Sequence, residues 1–234
     1  MPTVHPPELL DELRKWNTPT ICNALELFER WPRNTGFMDP TIKCIFPEMG
    51  VMVGYAVTVT IMADQPPPPG RRADLGAYLD YVVATPAPRI VVVQDLDNPP
   101  AVGSLWGEVN GSRHKALGCL GTITNGGVRD IDEVRELGFQ YFASAVIPSH
   151  AYVHMRDFNV PVKVGGLVVN PGDLLHADKH GVVRIPHEVA AEVPAKCEEM
   201  ERRERPLIDL HKSPDFSVDK LKEMMGLVRK QQTY

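Results

Sequence analysis

Cysteine is scarce: four residues in 234, Cys22, Cys44, Cys119 and Cys197, none close to another. Zinc ribbons and dithiol redox motifs need close pairs, so neither is supported, and reduced thiols in or near a core are expected. No apolar run approaches the roughly 18 to 20 residues that span a bilayer. Met1 to Trp16 carries acidic residues and no apolar secretory segment, so it does not read as a signal peptide, and a cytoplasmic protein is expected. Excess positive charge is missing too: 25 Lys plus Arg stand against 30 Asp plus Glu, a net charge of −5. Coating nucleic acid needs a concentrated basic surface, so neither nucleic acid nor membrane is an expected partner. What remains is an ordinary globular composition, 43% apolar and 24% charged, on a length that suits one domain over 1–234.

Proline (22) and glycine (18) are spread throughout, so many short elements are expected. Pro6 and Pro7 open a predicted helix over Glu8 to Trp16, and a second follows from Pro19 with Ile21, Leu25 and Phe28 on one face. Gly54 to Met62 alternates and is β-branched, a predicted strand. Gln65 to Arg72, QPPPPGRR, reads as a surface loop within one domain. Then come a helix near Asp74 to Val83, a buried strand over Arg89 to Gln94, a helix over Trp106 to Leu117 and a strand over Cys119 to Thr124. A short helix over Ile131 to Leu137 and the apolar Tyr141 to Ile147 follow. Val160 to Pro186 reads as short strands joined by glycine-rich turns, and the last fifty residues as charged helices broken near Ser213 to Asp215. Strands alternate with helices and then cluster, which predicts a mixed α/β domain with a β-rich half.

Two segments carry candidate chemistry. In Gly121 to Asp132 a predicted strand ends in Asn125-Gly126-Gly127, and the chain presents Arg129 and Asp130 at the mouth of a helix. Arginine can hold a carboxylate through two parallel hydrogen bonds, and aspartate offers hard oxygen to magnesium. Asp130 with Glu133 equally matches a helix N-cap and its capping partner. In Gly103 to Asn110, amides at a helix start can receive a carboxylate, and Glu108 can orient water or act as a base. That segment equally fits a plain helix start with Glu108 in its first turn and Trp106 in the core.

The combined pattern W-G-E-x9-G-x2-G-x3-N-G-x2-R-D, then G-G-L-V-V-N-P-G-D and A-D-x-x-G-V-V-x-I-P, resembles the RraA-like family. That family contains 4-hydroxy-4-methyl-2-oxoglutarate/4-carboxy-4-hydroxy-2-oxoadipate aldolases and the regulator of ribonuclease activity A. The resemblance runs from about Thr18 to the C-terminal helix. It implies a swivelling β/β/α fold with a core at about 18–190, flanked by N-terminal helices and by C-terminal helices over 187–234. It implies that Arg129 grips the carboxylate and keto oxygen of a pyruvate-like group, and that Asp130 is the direct ligand of Mg²⁺ or Mn²⁺. Glu108 would hold metal-bound water, while amides near Leu105, Trp106 and Gly107 would receive the substrate carboxylate. An acidic residue of a neighbouring subunit, within a homotrimer or hexamer, would complete the site. Glu204 is the nearest candidate, with Glu198, Glu199 and Glu201 beside it. Asn23 and Asn125 stand where aldolase members often carry Asp, near the presumed site. An S-adenosylmethionine loop, which an old methyltransferase label in the family would require, is not found.

The resemblance thus implies a metal-dependent lyase on a small 2-oxo acid, with oxaloacetate decarboxylation as the more robust activity. The alternatives are a non-catalytic protein-binding regulator, or a related lyase or hydratase on another oxo or hydroxy acid. Other features remain open on sequence alone. His176, Asp178 and His180 fit either a metal triplet on a hairpin or an ordinary turn. His150 and His154 are four apart, as on one helical face. Ser149 beside His150 makes no triad. The pairs Arg71-Arg72 and Arg202-Arg203 read as solvated surface.

Overall fold

The computed structural model describes residues 3–227. Its centre is a nearly closed, barrel-like sheet with the strand order β1-β5-β4-β3-β2-β9-β10. In chain order the strands are β1 (Lys43–Cys44), β2 (Met52–Met62), β3 (Arg89–Asp95), β4 (Cys119–Val128) and β5 (Gln140–Val146). They continue with β6 (His154–Phe158), β7 (Val162–Val164), β8 (Leu167–Val169), β9 (Leu174–Asp178) and β10 (Gly181–Ile185). β2, β3, β4 and β5 are mutually parallel, and β6 and β9 pair antiparallel to the two halves of β2. The helices are α1 (Pro7–Arg14), α2 (Thr18–Glu26), α3 (Leu75–Ala84), α4 (Glu108–Ala116), α5 (Ile131–Leu137), α6 (Val193–Lys212) and α7 (Val218–Met224).

Three apolar clusters follow from this wrapping. Ala56, Ile90, Val92 and Ile123 fill the barrel interior against the β7–β8 hairpin. Val57, Val59, Val91, Val93 and Trp106 face the layer of α3, α4 and α5. Tyr55, Leu174 and Ile185 meet α1, α2 and the start of α6. The alternation read in Gly54 to Met62 therefore does not mark a solvent face, because β2 is covered on both sides. Its threonine hydroxyls have partners in place: that of Thr58 lies 3.4 Å from the Tyr81 hydroxyl, and that of Thr60 donates to the Asp157 carbonyl at 3.3 Å.

Most predicted elements appear within a few residues of their expected bounds, and the mixed α/β class is as read. The helical break at Ser213 to Asp215 is present. The predicted C-terminal helices extend to 234, of which 228–234 lie outside the described residues, as do Met1 and Pro2. Gln65 to Arg72 is a loop between β2 and α3 that exposes Arg71 and Arg72. All four cysteines are free, and burial pushes the thiols up, Cys22 to about 11 and Cys119 to about 12. No helix among the described residues is long and apolar enough to cross a membrane.

Two expectations are corrected. β4 does not stop before Asn125; it runs to Val128, with its pairing to β5 shifted between Thr124 and Gly127. The glycines thus form an irregular stretch of strand instead of a terminating turn. His150 and His154 share no helical face: His154 lies in β6 and His150 in the loop before it.

Candidate functional site

The parallel strands β2 to β5 all end on one side of the sheet, where open α/β sheets place ligands. There the end of β4 meets the segment entering α4, joined by a bridge between Trp106 and Val128. The Arg129 amide donates to the Trp106 carbonyl at 3.2 Å. Ser104 ties the same seam: its hydroxyl lies 2.7 Å from both the Trp106 and Gly127 carbonyls and accepts from the Trp106 amide at 3.0 Å. Asn110 donates back from the first turn of α4 to the Leu105 carbonyl at 2.6 Å. The seam brings Glu108, Arg129 and Asp130 together, although 21 residues separate the first two.

Asp130 occupies the N-cap position of α5 but does not cap it. Its backbone is left-handed, φ 56° and ψ 50°, and its side chain makes no cap hydrogen bond, so the pairing with Glu133 is not formed. Such a conformation costs a non-glycine residue on the order of 1 kcal/mol and is concentrated at functional sites. The twist turns the carboxylate towards α4, where Oδ2 accepts from the Glu108 amide at 2.9 Å. Oδ1 has only a loose approach to Arg129, 4.0 Å from its Nε. Gly107 makes this closeness possible: a Cβ there would fall inside contact distance of Asp130 Oδ2 and 3.2 Å from Arg129 Nε.

The Arg129 guanidinium has no hydrogen-bond acceptor among the described residues, and about a third of the side chain is exposed. A guanidinium whose one contact is a loose ion pair keeps donors that can hold a carboxylate through two parallel hydrogen bonds. The Glu108 side chain is exposed and makes no hydrogen bond or ion pair among the described residues. Of the three amides named from the family resemblance, that of Trp106 is taken by Ser104, while those of Leu105 and Gly107 have no acceptor among the described residues. Trp106 itself is core, its ring against His114 and Phe139.

Asn125 and Asn23 behave differently from what their positions suggest. The Asn125 amide bridges two parallel strands, accepting from the Asp95 amide at 2.8 Å and donating to the Asp95 carbonyl at 2.9 Å. Only a side chain with both a donor and an acceptor can do this. Asp95 in turn holds the loop leading to the site, accepting from the amides of Asp97 at 3.0 Å and Ala101 at 2.8 Å. Asn23 is not near Arg129 within the chain; it lines a groove between α2 and β10 that shares no residue with the site.

The His176, Asp178 and His180 cluster is structural. His176 is fully buried, with Nδ1 3.0 Å from the Thr18 hydroxyl and Nε2 near the Leu13 and Trp16 carbonyls. Burial pulls its pKa down to about 4. Burial opposes the charge of Asp178, but bonds from Thr18 and His180 outweigh it and hold the carboxyl below its usual range. Together they fasten the α1–α2 junction to the β9–β10 hairpin. Among the described residues no three His, Cys, Asp or Glu side chains converge as a metal cage. On α6, Glu199 pairs with Lys196 and Arg203, and Glu201 with Arg205. Glu198 and Glu204 are exposed and make no ion pair among the described residues.

Ser104, Asn110 and Asp95 were not singled out from sequence. Their roles depend on the meeting of β4 with the α4 entry, and a serine or asparagine in a loop carries no signal of that.

Comparison with known proteins agrees with this fold. An uncharacterised protein of Methanocaldococcus jannaschii is 25% identical over 194 residues, covering 82% of this chain and 84% of its own. The 4-hydroxy-4-methyl-2-oxoglutarate aldolase of Thermus thermophilus is 36% identical over 70 residues, 30% of this chain and 43% of that one, so the match spans under half of that relative. The crystal structure of Streptomyces coelicolor RraAS2, described as an unusual member of the RNase ES inhibitor RraA family, superimposes with a TM-score of 0.70. Its identity is 26%, and the match covers 87% of this chain and 98% of that one. The pattern of the RraA-like family, Aldolase/RraA, matches residues 18–184, and the chain belongs to that family.

Proposed function

We propose that the protein is a divalent-metal-dependent lyase, a class II pyruvate aldolase. It would cleave 2-oxo acids of the 4-hydroxy-4-methyl-2-oxoglutarate type to pyruvate, and decarboxylate oxaloacetate. The observation that carries this reading is the Arg129 guanidinium, without a hydrogen-bond acceptor among the described residues, beside an Asp130 carboxylate whose Oδ1 makes only a loose 4.0 Å ion pair with it. The donor set suits Mg²⁺ or Mn²⁺: it is all oxygen, and magnesium commonly takes one or two carboxylates and keeps water elsewhere. Asp130 would hold the ion, with Glu108 beside it. When bound, the ion supplies Lewis acidity to the oxygens of a 2-oxo acid.

The chain's own groups do the rest. Arg129 binds the substrate carboxylate and keto oxygen, and the free amides of Leu105 and Gly107 add donors. When the bond from C3 to C4 breaks, its electrons pass into the enolate of pyruvate, and negative charge grows on the oxygen facing Arg129. A guanidinium already in place stabilises that charge more than the ground state. Glu108 holds the water that takes up the C4 hydroxyl proton in the aldol reaction, and a proton delivered from water to C3 of the enolate completes pyruvate in either reaction. Oxaloacetate needs no such base, because loss of carbon dioxide yields the same enolate.

We further propose that the site is completed between subunits of a homotrimer or hexamer. Exposed Leu96, Val102, Val109, Val146 and Tyr152 lie on segments at this end of the sheet and supply an apolar rim for a neighbour. Glu204, unpaired on α6, is the favoured acid from that neighbour. The test is pyruvate release from oxaloacetate and from 4-hydroxy-4-methyl-2-oxoglutarate, with Mg²⁺ and with chelator. Chelator-sensitive release from both is expected. Release from oxaloacetate alone would point to another aldol substrate. No release above the metal's own background, from a folded oligomer, would replace this reading with a protein-binding regulator.

A further inference from the structure

A groove of about 760 Å³ lies between α2, the 31–37 loop, the β7–β8 hairpin and β10. Glu108, Arg129 and Asp130 do not line it, and its size falls in the range that small ligands occupy. Trp31 and Phe37 form aromatic walls. The Phe37 backbone is held in place by a bridge to Val183 of β10. The Met38 amide donates to the Val182 carbonyl at 2.9 Å, and the Arg184 amide to the Gly36 carbonyl at 2.8 Å. Yet the Phe37 ring is 43% exposed. A large aromatic fixed in place and left uncovered is a ready contact surface.

The polar groups in the groove divide into used and unused. Glu26 pairs with Arg33 at 3.4 Å, and Asp39 accepts from the Thr41 amide at 2.9 Å and from its hydroxyl. Arg184 is likewise engaged at one atom: its Nη1 forms an ion pair with Asp173 at 3.5 Å and lies 3.3 Å from the Val168 carbonyl. Its Nε and Nη2 have no acceptor among the described residues, nor do the side-chain amides of Asn23 and Asn34 have partners there. Each acid has one oxygen engaged, and Arg184, Asn23 and Asn34 keep donors to spare among the described residues.

We propose that this groove is a binding site for a small organic anion with a flat apolar body, such as an aromatic carboxylate. The ring lies against Trp31 and Phe37, and the anionic group meets Arg184. The site is separate from the one at Asp130 and does not depend on its chemistry.

The probe is 1-naphthoate, with neutral 1-naphthamide as its control, titrated calorimetrically into the full chain. Saturable binding of one naphthoate per chain is expected. Arg184→Gln should weaken naphthoate about tenfold, as loss of a charge-assisted hydrogen bond does, and leave naphthamide unchanged. Trp31→Leu should weaken both. Circular dichroism and melting temperature show whether each variant is folded. Absent or non-saturable binding, or binding indifferent to both substitutions, overturns the proposal. So does an oligomer that dissociates on Trp31→Leu without any naphthoate binding to the wild type, which would make the groove a seat for a second copy.

Discussion

Gly107→Ala is a small change with a sharply divided consequence. The backbone at Gly107 is extended, φ −163° and ψ −171°, a conformation open to any residue, so no backbone strain is introduced. The cost comes entirely from the added methyl, which would press on Asp130 Oδ2 while lying 3.3 Å from Asp130 Cγ and 3.2 Å from Arg129 Nε. To regain ordinary contact the carboxylate must retreat by about 1 Å. It then gives up the Glu108 amide, now 2.9 Å away. About a third of the Asp130 side chain is exposed, so water replaces much of that bond, and stability should fall by only about 1 kcal/mol. For a chain of this length that is a drop of roughly 2–4 °C in melting temperature. Activity is far more sensitive, because a misplacement of about 1 Å at a reacting centre costs on the order of 100-fold. The assay is oxaloacetate decarboxylation with Mg²⁺ beside a thermal melt. A variant that melts a few degrees lower and retains its turnover within twofold would refute the reasoning.

Two further outcomes follow from groups away from Asp130, one half-buried and the others buried. Asn125→Asp removes the donor to the Asp95 carbonyl and sets a carboxylate against it, so stability at pH 7 should fall by about 1–3 kcal/mol in urea unfolding. The deficit should narrow at acid pH as a protonated carboxyl regains a donor; an unchanged midpoint at pH 7 would contradict the bridge. His114 and His176 are both held near pKa 4 by burial, against an ordinary 6.5. Each binds its proton more readily when unfolded, so its contribution is complete above about 6.5 and is lost as pH falls towards 4, by about 3 kcal/mol apiece. His114→Gln should flatten part of that pH dependence in denaturant titrations, and an identical slope in the variant would argue against it.

The sequence was informative where function depends on local pattern. The parallel strands, the helices between them and the clustered hairpins were readable because each carries its own periodicity or turn residues. Arg129, Asp130 and Glu108 stood out as residue types suited to the chemistry. The seam that joins them was invisible: Ser104 and Asn110 act only because β4 and the α4 entry approach each other in space. Asp130 looked like a helix cap because its spacing from Glu133 is that of a cap, and only the left-handed backbone turns it away. Asn125 looked like a lost acid, but its amide is what bridges β3 and β4. Asn23 reads from the resemblance as a residue near the site, whereas packing of α2 against β10 carries it to a different groove of the same chain.

The central claim is that Asp130 and Arg129 form one metal-assisted site for a 2-oxo acid. Its most direct test compares pyruvate release from oxaloacetate by the wild type and by Asp130→Ala, both folded and both supplied with Mg²⁺. The account predicts chelator-sensitive turnover in the wild type and none above background in the variant. Metal-dependent turnover that survives in Asp130→Ala would contradict it.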